Sequence, residues 1–75
     1  MMEKEFIIER GDYRLNEKSV GLRVIRFDGS EAGFVYFGLS IVKIKERDNG
    51  DIRVTVPKEI VRKKLLPGYT IRERR

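Results

Sequence analysis

Apolar and polar residues alternate most regularly between residues 42 and 56. Val42 and Ile44 on one side of Asp48-Asn49-Gly50, and Val54 and Val56 on the other, are interleaved with Lys43, Lys45, Arg47, Arg53 and Thr55. Each segment therefore predicts a strand with one apolar and one polar face. A two-residue Asn49-Gly50 turn would set Lys45 opposite Val54, and the two faces would disagree. A three-residue Asp48-Asn49-Gly50 loop, with Gly50 in the left-handed position of a G1 bulge, pairs Lys45 with Arg53 and Ile44 with Val54. The predicted hairpin thus gathers Lys43, Lys45, Arg47 and Arg53 on one face. Like charges directly opposite one another cost stability, so such a face is either well solvated or kept for an anionic partner.

Beyond the hairpin the period changes. Pro57 suits the first position of a helix, because its φ is fixed and its missing N–H is not needed there, and Glu59 lies in the first turn, where the helix dipole favours an acid. Ile60, Val61 and Leu65 fall on one arc, Lys58, Arg62 and Lys63 point elsewhere, and Pro67 forces Leu66 out of helical geometry. The helix is expected to run about two turns. Pro67-Gly68 then turns the chain into a short strand over residues 69–72, followed by a basic tail at Arg74-Arg75.

Toward the start, Phe6-Ile7-Ile8 predicts a short buried strand. Arg10-Gly11-Asp12 reads as a turn before Tyr13-Arg14-Leu15, and the same tripeptide as an adhesion motif lacks a secretory context. Residues 16–19 are too few and too polar for an independent helix. Residues 22–27 and 34–37, rich in β-branched and aromatic side chains, predict a hairpin with its loop over 28–33. Its second arm continues through Gly38, where a bend is expected, into residues 39–47. The fold class is mostly β with one short α-helix. A single domain spans 1–75, in which residues 1–40 contribute strands and 41–75 form the hairpin-helix-strand unit.

Composition sharpens this in three ways. A domain of 75 residues buries only ~60–65% of its unfolded surface, and without Cys or His it lacks the usual disulfide and metal supports. A homodimer is the expected remedy. The chain is 39% charged, which suits a thermophile protein. With no apolar run long enough to cross a bilayer and no apolar leader, a cytoplasmic location without membrane contact is expected. The net charge of +5, from 17 basic and 12 acidic residues, favours polyanions.

Tyr13, Phe27, Phe34, Tyr36 and Phe37 lie among basic residues. Filling a small core is the favoured role for them, and stacking of single-stranded bases, above all on Tyr36, is the alternative. No His, Cys, Gly-rich phosphate loop or paired acid meets the requirements of a catalytic site. The expectation is a binding protein with no cofactor and no metal, and a small scaffold or protein-interaction module is the alternative to nucleic-acid binding.

The run IVKIKERDNGDIRVTVPKEIVRKKLLPGYTI resembles the AbrB/SpoVT (MazE-like) swapped-hairpin domain. The matching residues are Arg53, Val54, Val56, Pro57, Lys58, Glu59, Ile60, Pro67 and Gly68. The resemblance covers residues 41–75. It implies an intertwined homodimer forming a small β-barrel, or a related single-chain barrel of the RIFT type. It also implies double-stranded DNA binding through the basic hairpin by a transcription regulator or by an antitoxin with a toxin partner. Carried over by position, it supports Arg53, then Lys45 or Arg47, with Arg62 as a fourth candidate beside Lys43 from the alternation. The sequence departs from the family at Lys64, where an apolar residue is usual, and at Leu65-Leu66, where Leu-Gly-Leu is usual. A final strand of the family has no counterpart, so a strand from the N-terminal half is expected to take its place, or that half to form a second βαβ-like unit.

Overall fold

Seven strands and one short helix account for the regular structure in the computed structural model, which describes residues 2–74. In chain order they are β1 (Glu3–Ile8), β2 (Tyr13–Leu15), β3 (Ser19–Arg26), β4 (Glu31–Gly38), β5 (Lys43–Glu46), β6 (Ile52–Pro57), α1 (Lys58–Lys64) and β7 (Tyr69–Ile71). The fold is mostly β, as the alternation predicts. Arg75, the last residue of the expected basic tail, lies outside the described residues.

The β5–β6 hairpin forms in the predicted register, with Ile44 opposite Val54 and Lys45 opposite Arg53. The amide of Gly50 donates to the carbonyl of Arg47 (3.1 Å) and the amide of Arg47 to that of Asp51 (2.9 Å). Gly50 has φ +89°, the left-handed residue that a three-residue loop with a G1 bulge requires. β6 is the centre of this first sheet, because β1 runs antiparallel along its other edge from Glu3 opposite Pro57 to Ile8 opposite Ile52. The N-terminal half thus supplies a strand to the hairpin's sheet. Among the described residues that half holds strands and turns and no helix, so it forms no βαβ-like unit.

β3 centres the second sheet. β4 lies on one edge, while β2 and β7 share the other, β2 opposite residues 20–22 and β7 opposite residues 24–26. Past β7, the Arg72 amide donates to the Arg23 carbonyl (2.8 Å) and the Arg74 amide to the Ile7 carbonyl (2.8 Å). The second bond laces the two sheets together. Phe6, Ile8, Ile52, Val54 and Val56 from the first sheet meet Val20, Leu22, Phe37 and Ile71 from the second in one buried cluster. Since successive strand residues point to opposite faces, the remaining faces of the two sheets point away from each other into solvent. Ile60, Val61 and Leu65, the predicted helical arc, pack against the cluster without being fully buried.

Several expectations change. Pro57 is not the first helical residue: with ψ at 130° it ends β6 and precedes the helix. Its fixed φ is compatible with either state, and the ladder to β1 decides, since Glu3 pairs with Pro57 and the Lys58 amide donates to the Met2 carbonyl (3.1 Å). The loop expected over residues 28–33 shrinks to 27–30, because Glu31, Ala32 and Gly33 join β4 through a register shift opposite Arg23 and Ile25. At Gly38 the chain leaves β4, turns, and enters β5 in the other sheet. Phe27 therefore sits in a turn, 91% exposed, and Tyr36 lies on the outer face, 38% exposed. Phe37 alone of the five aromatics is fully core, while Tyr13 and Phe34 are half-buried.

Candidate nucleic-acid interface

The register of the first sheet fixes its outer face. Val54 and Val56 point inward, so Arg53 and Thr55 point outward, and their partners Lys45 and Lys43 on β5 share that face. Lys43, Lys45, Arg53 and the turn residue Arg47 are all exposed. Among the described residues, Lys43, Lys45 and Arg47 have no carboxylate within ion-pairing distance. Three cations are therefore available to an anion approaching from solvent.

Arg53 differs. Its Nε lies 3.2 Å from Glu5 Oε1, because β1 adds Glu3 and Glu5 to the same outer face, level with Pro57 and Thr55. Reading the first strand as Phe6-Ile7-Ile8 alone missed this. The signal was present in the alternation of Glu3 and Glu5 with Phe6 and Ile8, which extends the strand toward the N-terminus. Both side chains are about half exposed, and an exposed pair of this kind contributes ~0–1 kcal/mol, so an incoming phosphate can displace Glu5.

Arg62 stands at the opposite end of the sheet from Arg47 and the hairpin turn, toward the end where Lys43 pairs with Thr55. It lies on α1 beside Met2, Pro57, Lys58 and Glu59, at the end of β6 away from the hairpin turn. Six strand residues separate the two ends, roughly 17 Å at the usual rise.

The hairpin turn is held rigidly by a residue that sequence reasoning passed over. Asp51 is 5% exposed, and its carboxylate accepts from the Arg10 amide (3.3 Å), the Asn49 side-chain amide (3.2 Å) and the Arg74 guanidinium. The Tyr13 hydroxyl donates to the Gly50 carbonyl at 2.9 Å. Burial works against ionisation of Asp51, but Arg74, the Arg10 amide and Asn49 outweigh it and hold the carboxyl below its ordinary value. The turn that carries Arg47 is thereby tied to the 9–12 turn, to β2 and to the segment after β7. Asn49 is a local partner, but Arg10, Tyr13 and Arg74 reach the turn through tertiary contact alone, and no pattern around Asp51 could have shown them.

Among the described residues no cluster of His, Cys, Asp or Glu could hold a metal ion, and no helix is long and apolar enough to cross a membrane. Compared with protein-family models, with curated proteins and with solved structures, the chain matches none.

Proposed function

We propose that this protein binds double-stranded DNA through the outer face of the β1–β6–β5 sheet, as a transcription regulator or an antitoxin. The observation that carries the reading is the register: it sets Lys43, Lys45 and Arg53 side by side, and leaves both lysines and Arg47 without carboxylate partners among the described residues. Two like charges directly opposite, Lys45 and Arg53, are a cost to the fold that an anionic partner turns into binding energy. Phosphates neutralised by these side chains release counterions, which makes affinity fall steeply with salt. Arg53 is the side chain suited to a bidentate contact with a base edge or phosphate once Glu5 is displaced.

The proposal includes a homodimer, supported by the small core and by exposed Phe27 and Leu66 (68%). β6 already has both edges paired within one chain, so this dimer associates through open edges or apolar patches. It is not needed to complete the hairpin's sheet. A sedimentation run at micromolar concentration that returns only monomer removes this part.

Duplex affinity measured across a salt series tests the interface. The parent shows a steep negative slope, and Lys43→Ala with Lys45→Ala flattens it by ~0.9 for each phosphate that is no longer neutralised. Arg53→Ala weakens binding further. Duplex affinity that is weak and indifferent to salt, or unchanged in these variants, returns the face to the role of a solvated surface on an interaction module.

A further inference from the structure

The outer face of the second sheet has a different composition from the hairpin face. Tyr36 on β4 stands opposite Gly21 on β3. A Cβ at Gly21 would meet Tyr36 Cε2 at 2.6 Å, Cζ at 2.9 Å and Cδ2 at 3.0 Å, so the phenol ring lies across the glycine backbone. One side of the ring is covered by β3, and the remaining exposure, 38%, belongs to the side turned to solvent. On the other edge of β3, Arg14 of β2 also stands opposite Gly21. Its guanidinium lies 4.2 Å from the centre of the Phe34 ring, with Arg23 at 4.7 Å.

Charge distinguishes these two arginines. Arg23 is bound to Asp12 (3.0 Å) and Glu31 (3.2 Å), whereas Arg14 has no carboxylate partner among the described residues. Lys64, the departure at the end of the helix, places its ammonium 2.5 Å from the Tyr36 carbonyl. The result is an open side of the Tyr36 ring, flanked by the Arg14–Phe34–Arg23 stack with its unpaired Arg14 guanidinium, and by the Lys64 ammonium at the edge of β4.

We propose that this face binds a single-stranded segment of nucleic acid, with unpaired bases stacking on Tyr36 and on the Arg14–Phe34 pair while Lys64 and Arg14 attract the phosphates. A stacking ring held flat by a glycine needs no reordering when a base arrives, and every base offers a π face. A duplex, whose bases are already stacked, has nothing to offer Tyr36. The site lies on the side of the molecule away from Lys43, Lys45 and Arg53, since the shared core separates the two sheets. It is therefore separable from the duplex interface proposed above.

Fluorescence anisotropy with end-labelled oligo(dT) and oligo(U) of about 15 nucleotides, a length in the range such surfaces cover, tests it. Both probes are expected to bind, because the patch reads bases and not the sugar. Tyr36→Phe retains binding, and Arg14→Ala weakens it. Tyr36→Leu keeps an apolar cover over Gly21, which thermal melting verifies, yet loses roughly ten- to a hundred-fold in affinity. Duplex affinity is unchanged in Tyr36→Leu, and single-strand affinity is largely retained in the Lys43→Ala, Lys45→Ala double variant. The proposal is overturned if the parent binds neither probe, or if folded Tyr36→Leu binds as the parent does. It is equally overturned if the double lysine variant alone abolishes single-strand binding, a result that would leave the duplex interface standing.

Discussion

The two sheets share one core yet use their cations in opposite ways. On the outer face of the β1–β6–β5 sheet, Lys43, Lys45 and Arg47 are exposed without a carboxylate partner among the described residues, while Arg53 is paired with the exposed Glu5. On the β2–β3–β4 sheet with β7, Arg23 and Arg72 are both drawn to Asp12 and Glu31, and Arg14 and Arg23 approach the Phe34 ring. A net charge of +5 is silent about this division. What separates a cation serving the fold from one available to a ligand is the presence of a local acceptor, and that depends on strand register.

The comparison can be broken most forcefully in the core. Phe37→Ala in the second sheet is expected to cost ~3–5 kcal/mol and Ile52→Ala in the first ~2–5 kcal/mol. Each should lower hydrogen-exchange protection in both sheets together; protection falling in one sheet alone would show two cores. Next come the turns. Gly50 and Gly29 both have positive φ, but a Cβ at Gly50 would lie 3.0 Å from Arg10 Cδ, whereas none lies near Gly29. Gly29→Ala should cost ~1–2 kcal/mol for the left-handed conformation alone, and Gly50→Ala more, as read by denaturant midpoints. Equal losses would mean that the Arg10 side chain swings aside from the added methyl.

Acid titration sharpens the contrast at the hairpin turn. The folded Asp51 carboxyl lies below its unfolded value, about 3.9. Its stabilisation is therefore complete above that value and is lost as the pH falls through the lower, folded one. Asp51→Asn should melt below the parent at neutral pH, and the gap should close in acid. A gap that persists after the carboxyl is protonated would assign the loss to packing. The smallest effect is expected at Glu5. Glu5→Gln frees Arg53 and removes a negative charge from the outer face, so duplex affinity should rise severalfold at low salt, in keeping with the ~0–1 kcal/mol scale of an exposed pair. A fall in affinity would show that Glu5 positions Arg53 for binding.

Much of this was legible in the order of residues. The alternation of Val42–Lys43–Ile44–Lys45 against Arg53–Val54–Thr55–Val56, with Gly50 available for a left-handed turn, was enough to set the hairpin's register. The two-turn helix followed from Ile60, Val61, Leu65 and Pro67. What was not legible depended on partners distant in the chain. Phe27 reads as a strand residue by type, but the turn at Asp28-Gly29-Ser30 begins one position earlier than the apolar run suggests. Pro57 reads as helical because its φ fits, while its ψ answers to β1. Tyr36 reads as core until Gly21 is known to lie opposite. Lys43, Lys45 and Arg53 were placed together by period alone, whereas the acids that share their face belong to a strand whose pairing crosses most of the chain.

That last pairing also bears on how the chain reaches its fold. The β3–β4 and β5–β6 hairpins close over short loops, while β1 must travel from the far end of the chain to reach β6, and such non-local contacts form late. For that interval β6 has a finished partner on one side and an open edge on the other, with Arg53 still lacking Glu5. An open strand edge is a template for another chain, and only the tethering of β1 to the same chain favours the closed pairing over one with a second copy. The same sheet that one chain completes alone is thus the place where two chains can trade strands.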